Sequence, residues 1–232
     1  MMGTTAEPYI MLMASLPALG PLLGTQVPAI SATRLQERLG YLNPEDRADL
    51  DALRASLSWS RGDLDESDEA FLSRVDRVIS RLKSPVLRDA ARDRLEIRTL
   101  VAALRRRASG KDAPQPGERW GYGRFVKVIC ANWSQPDFGV GRSFPWIAKA
   151  RERLEAGDAA GLERVVLEAG WKAAARYADG HFFDFEAVAF YVVRWSIVDR
   201  WAHYDVASAT VRFAELLDAA TVDVTSAIGI NS

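Results

Sequence analysis

The stretch Arg94-Leu95-Glu96-Ile97-Arg98-Thr99-Leu100-Val101-Ala102-Ala103-Leu104-Arg105-Arg106-Arg107-Ala108-Ser109-Gly110 reads as one amphipathic helix. Leu95, Leu100 and Leu104, with Ile97 and Val101, form an apolar stripe at helical spacing. Arg105, Arg106 and Arg107 put positive charge in the last turn, where the helix dipole favours it. Gly110 is suited to the left-handed conformation that closes a helix. The run has the character of a docking helix and carries no group of residues arranged for chemistry.

Helix starts and stops recur along the chain on both sides of this stretch. Ser31-Ala32-Thr33 offers caps for a helix over Arg34 to Leu39. Asn43-Pro44-Glu45-Asp46 combines a cap, a first-turn proline and acids, and predicts a helix continuing through Leu50, Leu53 and Leu57 towards Trp59. Arg61-Gly62-Asp63 breaks it, and Asp65 to Glu69 is an acidic entry to a helix carrying Phe71, Leu72, Val75, Val78, Ile79 and Leu82. Ser84-Pro85 precedes the helix that contains the quoted stretch.

Lys111 to Gly123 holds Pro114, Pro116, Gly117, Gly121 and Gly123 and reads as a linker, with Trp120 and Tyr122 placed to dock on something. Further helices are expected at Phe125–Trp133, from Pro145-Trp146 to Leu154, at Leu162–Tyr177 with Gly170 as a weak point, and at Phe185–Tyr204 with Asp184 as cap. Val206–Ala220 reads as the last helix, before a frayed tail at 221–232. Sustained two-residue alternation is missing, so the expected fold is all-α. It divides into an N-terminal helical lobe (1–110), a linker (111–123) and a C-terminal helical lobe (124–220). Tyr9 to Leu16 is expected to be a short buried extended segment. It lacks the basic start of a signal peptide and is too short to span a bilayer, which needs about 20 apolar residues.

Composition narrows the function classes. The chain has 232 residues, 48% hydrophobic and 26% charged, the balance of a globular protein with a real core. A net charge of −1 provides no global positive field to recruit nucleic acid or anionic lipid. The single cysteine, Cys130, excludes an intrachain disulfide, suits a cytoplasmic location and lies in an apolar run as a small hydrophobe. His181 and His203 stand outside metal-binding spacings, and the chain has no phosphate-binding glycine loop and no serine elbow. The expectation is therefore no catalytic residue, no metal and no cofactor. Asp89 and Asp93 share one helix face and would serve as a magnesium pair in a helical isoprenoid-type enzyme. The competing reading pairs them with Arg88, Arg92 and Arg94. Asp199 and His203 are spaced for a structural contact, and the apolar Phe182–Trp201 reads as a central core helix, with an interface helix as the alternative.

The pattern Glu96 to Leu100, then Leu104 to Gly110, resembles the acid–aliphatic–polar–Leu…Leu-Arg helix of the C subunit of V/A-type ATPases, called d in the eukaryotic enzyme. The opening Tyr9 to Leu19, followed by Leu35 to Trp59, is similar to a shorter bacterial family encoded beside V-type ATPase subunits. Phe185 to Arg200 resembles the late apolar helix of that family, with Ser196 before Ile197 where the family has an acid. The resemblance implies a non-catalytic, all-helical cup of two lobes. It would seat the central rotor stalk on the membrane-embedded ring of a rotary ATPase, cytoplasmic and peripheral to the membrane through its complex. Arg98, Arg105, Arg106, Arg107, Arg194 and Arg200 are the expected contacts to acidic partner surfaces, with rotor-stalk and ring subunits as partners and no nucleic acid. A helical adaptor of another complex is the alternative.

Overall fold

The computed structural model describes residues 7–24, 27–57 and 68–204. Among them the architecture is all-α, with no strand. The helices are α1 (Glu7–Ser15), α2 (Ala32–Leu39), α3 (Pro44–Leu57), α4 (Asp68–Arg81), α5 (Pro85–Ala108), α6 (Val126–Ala131), α7 (Ile147–Glu155) and α8 (Ala159–Ala178), followed by α9 at 185–204. The expected break at 61–63, the first part of the acidic entry and the helix and tail beyond 205 lie outside the described residues.

The helix starts follow local chemistry. Ser31 and Ser84 accept from the backbone N–H of Arg34 and Leu87, at 3.4 and 3.3 Å. Asn43 accepts from Asp46 N at 2.9 Å, and Asp184 from Ala187 N at 2.8 Å. Each satisfies a donor that a helix start leaves open. At the other end of α5, Gly110 sits at φ 73° and Lys111 N–H reaches back to Arg106 O at 3.2 Å. Gly110 therefore closes the helix by left-handed geometry.

Residues 7–15 form a helix, which corrects the expected extended segment. Leu, Met and Ala dominate the run and favour helix, Pro8 sits in the tolerated first turn, and Pro17 ends it. Leu12 and Leu16, one turn apart, are both buried. Tyr9 donates its hydroxyl to Asp46, and Asn43 donates to the Tyr9 oxygen at 3.3 Å, which ties α1 to the start of α3.

Long α5 is the spine. Its first half, with Leu87, Ala91 and Leu95, joins Leu12, Leu35, Leu50 and Val75 in one apolar cluster. Its second half, with Ile97, Leu100 and Leu104, joins Trp120, Ile129, Phe138, Ile147 and Val165 in another. The packing crosses the expected division at 111–123. Val188, Phe190 and Trp195 of α9 are built into the first cluster, where Trp195 Nε1 donates to Ile30 O at 2.8 Å and Tyr191 to Pro17 O at 2.9 Å.

The segment 111–123 is pinned to α5. Thr99 Oγ1 accepts from Tyr122 N at 2.8 Å and donates to Tyr122 O at 3.1 Å. Gly123, at φ 101°, lies so close to the buried Glu96 side chain that a Cβ there would collide with it. Gly170, expected to weaken its helix, lies inside continuous α8. A Cβ at that position would strike the Arg94 guanidinium, so the glycine makes room for a side chain crossing from α5.

Candidate functional site

Arginines concentrate along α5, and most of those expected to face a partner, there and on α9, are engaged within the chain. Arg98 lies 3.7 Å from the Phe71 ring centroid, and Arg194 lies 4.1 Å from that of Trp171. Arg106 bonds Glu118 at 2.8 Å and Asp112 O at 3.0 Å. Arg107 donates to the carbonyls of Trp133 (3.1 Å), Gln135 (2.5 Å) and Pro136 (2.9 Å), and its guanidinium covers the Phe138 ring at 3.9 Å. Desolvation lowers the Arg107 pKa, and the neighbouring Arg151 charge lowers it further. Arg105 is exposed.

Arg200 meets Glu163 at 2.5 Å, joining α9 to α8. Glu163 is a buried acid with no signal in the sequence, because one Glu beside Arg164 reads as part of a solvated charged face. Arg94 faces the same group. Its Nη1 is shut off from solvent, and its pKa is pushed down to about 10, first by desolvation and then by the like charge of Arg200, against the attraction of Glu163.

Asp89 and Asp93 do not form a joint pair of free carboxylates. Asp89 pairs with Arg92 at 3.0 Å. Asp93 accepts from Tyr177 at 2.8 Å and is flanked by Arg124 at 3.4 Å and Arg176 at 3.9 Å. Arg124 also reaches buried Glu96 at 3.2 Å, and burial raises the Glu96 pKa against that attraction. Asp199 and His203 make the expected local contact, with His203 Nδ1 2.8 Å from Asp199 O.

The start of α9 gathers His181, Asp184 and Glu186, whose ligand atoms lie within 4.8 Å of one another. The sequence signal was a His-x-x-Asp-x-Glu spacing directly before a helix. Both Asp184 oxygens are already used, Oδ1 in the cap to Ala187 and Oδ2 at 2.7 Å from His181 Nδ1. The group thus builds a helix start.

Burial pushes the Tyr177 and Tyr191 hydroxyls up to about 12, with the Asp93 bond adding to the effect at Tyr177. Both groups bind a proton more tightly folded than unfolded, where the ordinary value is near 10. Their stabilisation is therefore complete below pH 10 and is lost as pH rises through 10 to 12. Thermal melting followed by circular dichroism should show Tm falling across that window. Tyr191→Phe should cost about 1 kcal/mol at neutral pH and reduce the alkaline slope. An unchanged slope in Tyr191→Phe would mean that Tyr191 does not carry the effect.

No protein-family model matches the chain, and no solved structure matches it. Among curated proteins, a pantothenate synthetase of Thioalkalivibrio sulfidiphilus (strain HL-EbGR7) is 33% identical over 105 residues. The match takes in 44% of this chain and spans 30% of the length of that relative. Among the described residues, no helix is long and apolar enough to cross a membrane.

Proposed function

We propose that the chain is a non-catalytic coupling subunit of a V/A-type rotary ATPase, seating the rotor stalk on the membrane ring and reaching the membrane only through that complex. The observation that supports this reading is the convergence of the segments carrying the resemblance. Leu12, Leu35, Leu50 and Trp195, from three of them, share one apolar cluster, and Ile97, Leu100 and Leu104 of the fourth belong to the other cluster along the same helix α5. Three segments scattered along the sequence thus pack together, and α5 links them to the fourth, as parts of one family core would be linked. The two clusters along α5 correspond, in this reading, to the two lobes of a cup. Because Arg98, Arg106, Arg107, Arg194 and Arg200 serve internal contacts, the partner contact at the basic end of α5 falls to exposed Arg105.

The test is a mild-detergent pull-down of the tagged full chain from its native cells, with partners identified by mass spectrometry. Recovery of rotor-stalk and ring subunits is expected, reduced by Arg105→Glu. Recovery of neither overturns the coupling role, and other stable partners would make the chain an adaptor of a different assembly. Pantothenate synthetase activity is a second reading, carried by the 105-residue likeness alone. Pantothenate formation by the purified chain would establish it in place of the first.

A further inference from the structure

A cleft of about 440 Å³ opens between α5, α7 and α8, at the lower end of the range of small-molecule sites. Its apolar walls come from Ile97 on α5, Val165 and Ala169 on α8, and Phe144 and Trp146 just before α7. On α8 the small side chains of Ala169 and Ala173 leave space where larger ones would fill it. The aromatic wall is held edge to face. Phe144 packs on Phe125 with centroids 5.1 Å apart at 80°, and on Trp146 at 6.2 Å and 78°. The wall is therefore a fixed surface, with Trp146 half-buried beside the opening.

Charge at the rim is unbalanced. The two acids lining the cleft, Asp93 and Glu168, are already matched by arginines. Asp93 sits between Arg124 and Arg176, and Glu168 pairs with Arg164 at 3.1 Å. Lys149 and Lys172 line the same cleft from α7 and α8, are exposed, and make no ion pair or hydrogen bond among the described residues. The cleft thus combines an aromatic and aliphatic interior with surplus positive charge at its edge.

We infer that this cleft binds a small amphiphilic organic anion, a carboxylate or sulfonate carried on an aromatic body. The ring packs against Trp146, Phe144 and Val165, and the anionic group meets the ammonium groups of Lys149 and Lys172. Apolar burial supplies the attraction, and the lysine pair decides the sign of charge accepted. The inference is independent of the coupling role, since nothing in it depends on a partner subunit.

The test is a fluorescence titration of the purified full chain with anilinonaphthalene sulfonate. Saturable binding at one site is expected, displaced by phenylpropanoate and not by phenylpropylamine, which has the same apolar body and the opposite charge. The exposed pair Lys149→Glu with Lys172→Glu should weaken binding at least tenfold while Tm is unchanged, and Trp146→Ala should weaken binding at least as much, at a lower Tm because its ring packs on the core. Phe182 and Phe183 are exposed phenylalanines outside the cleft, so Phe182→Ser with Phe183→Ser serves as the control and should bind as the parent does. Absence of saturable binding overturns the inference. So does equal displacement by the amine, unaltered binding after charge reversal, or loss of binding in the control.

Discussion

Replacing Arg107 by alanine is expected to destabilise the fold by about 3 kcal/mol, read as a lower urea midpoint with an unchanged slope. The side chain is the clamp on the loop that follows α6. It donates to three successive carbonyl regions, at Trp133, Gln135 and Pro136, and covers the Phe138 ring. A hydrogen bond from a charged donor contributes about 1.5–3 kcal/mol, reduced here because part of the guanidinium reaches water. The loop needs this support. Phe138 has φ 53°, a left-handed geometry that a bulky residue adopts only when its surroundings impose it, and its side chain is wholly buried. Asp137 contributes from the other side, accepting from Gly139 N at 3.0 Å and Gly141 N at 3.2 Å. Arg107→Lys should recover only a minor part of the loss, because an ammonium cannot span three carbonyls and a ring at once. A loss below about 1 kcal/mol in the alanine variant would show that solvated loop carbonyls replace the clamp at little cost.

The helix boundaries were legible because their causes are local. Asn43, Ser84 and Asp184 cap helices whose first residues they precede by one position, and Gly110 stops α5 from within its own turn. The stripe Leu95, Ile97, Leu100, Val101, Leu104 was legible as a buried face for the same reason. The roles of the arginines were not. Arg105, Arg106 and Arg107 are equivalent in sequence, yet one is exposed, one meets Glu118 and one holds a loop about thirty residues downstream. Only the path of that loop distinguishes them. The segment at 9–16 failed differently. It is apolar at every position but Ser15, so no period separates helix from strand, and the side that is buried is set by Leu12 and Leu16 meeting a core built from residues far along the chain. Gly170 looked like a flaw because its reason, the Arg94 side chain, comes from another helix.

The second large effect is expected at Glu163. This acid is 7% exposed and lies between two guanidinium groups, bonding Arg200 at 2.5 Å and attracting Arg94. Glu163→Leu fills similar space but strips the counter-charge from Arg94, whose pKa is already pushed down to about 10 by desolvation and by Arg200. Removing one partner of a buried ion pair costs about 3–5 kcal/mol, and the partial exposure of Arg200 moves the expectation to the lower end, about 3 kcal/mol. The sign on Arg94 itself follows from its depressed value. Folding disfavours its charged form, so between pH 10 and the ordinary arginine range the unfolded chain holds the proton more tightly and stability rises with pH. Below pH 10 the burial cost is present in full, offset by Glu163. Adding Arg94→Met to Glu163→Leu removes the buried charge and replaces it with an apolar side chain of similar length. The double variant should therefore recover most of the loss, a coupling that urea unfolding of the four members of the cycle measures directly. Strictly additive losses would instead show that Arg94 and Glu163 do not share one electrostatic environment, and that Arg94 is neutralised by another group across α5.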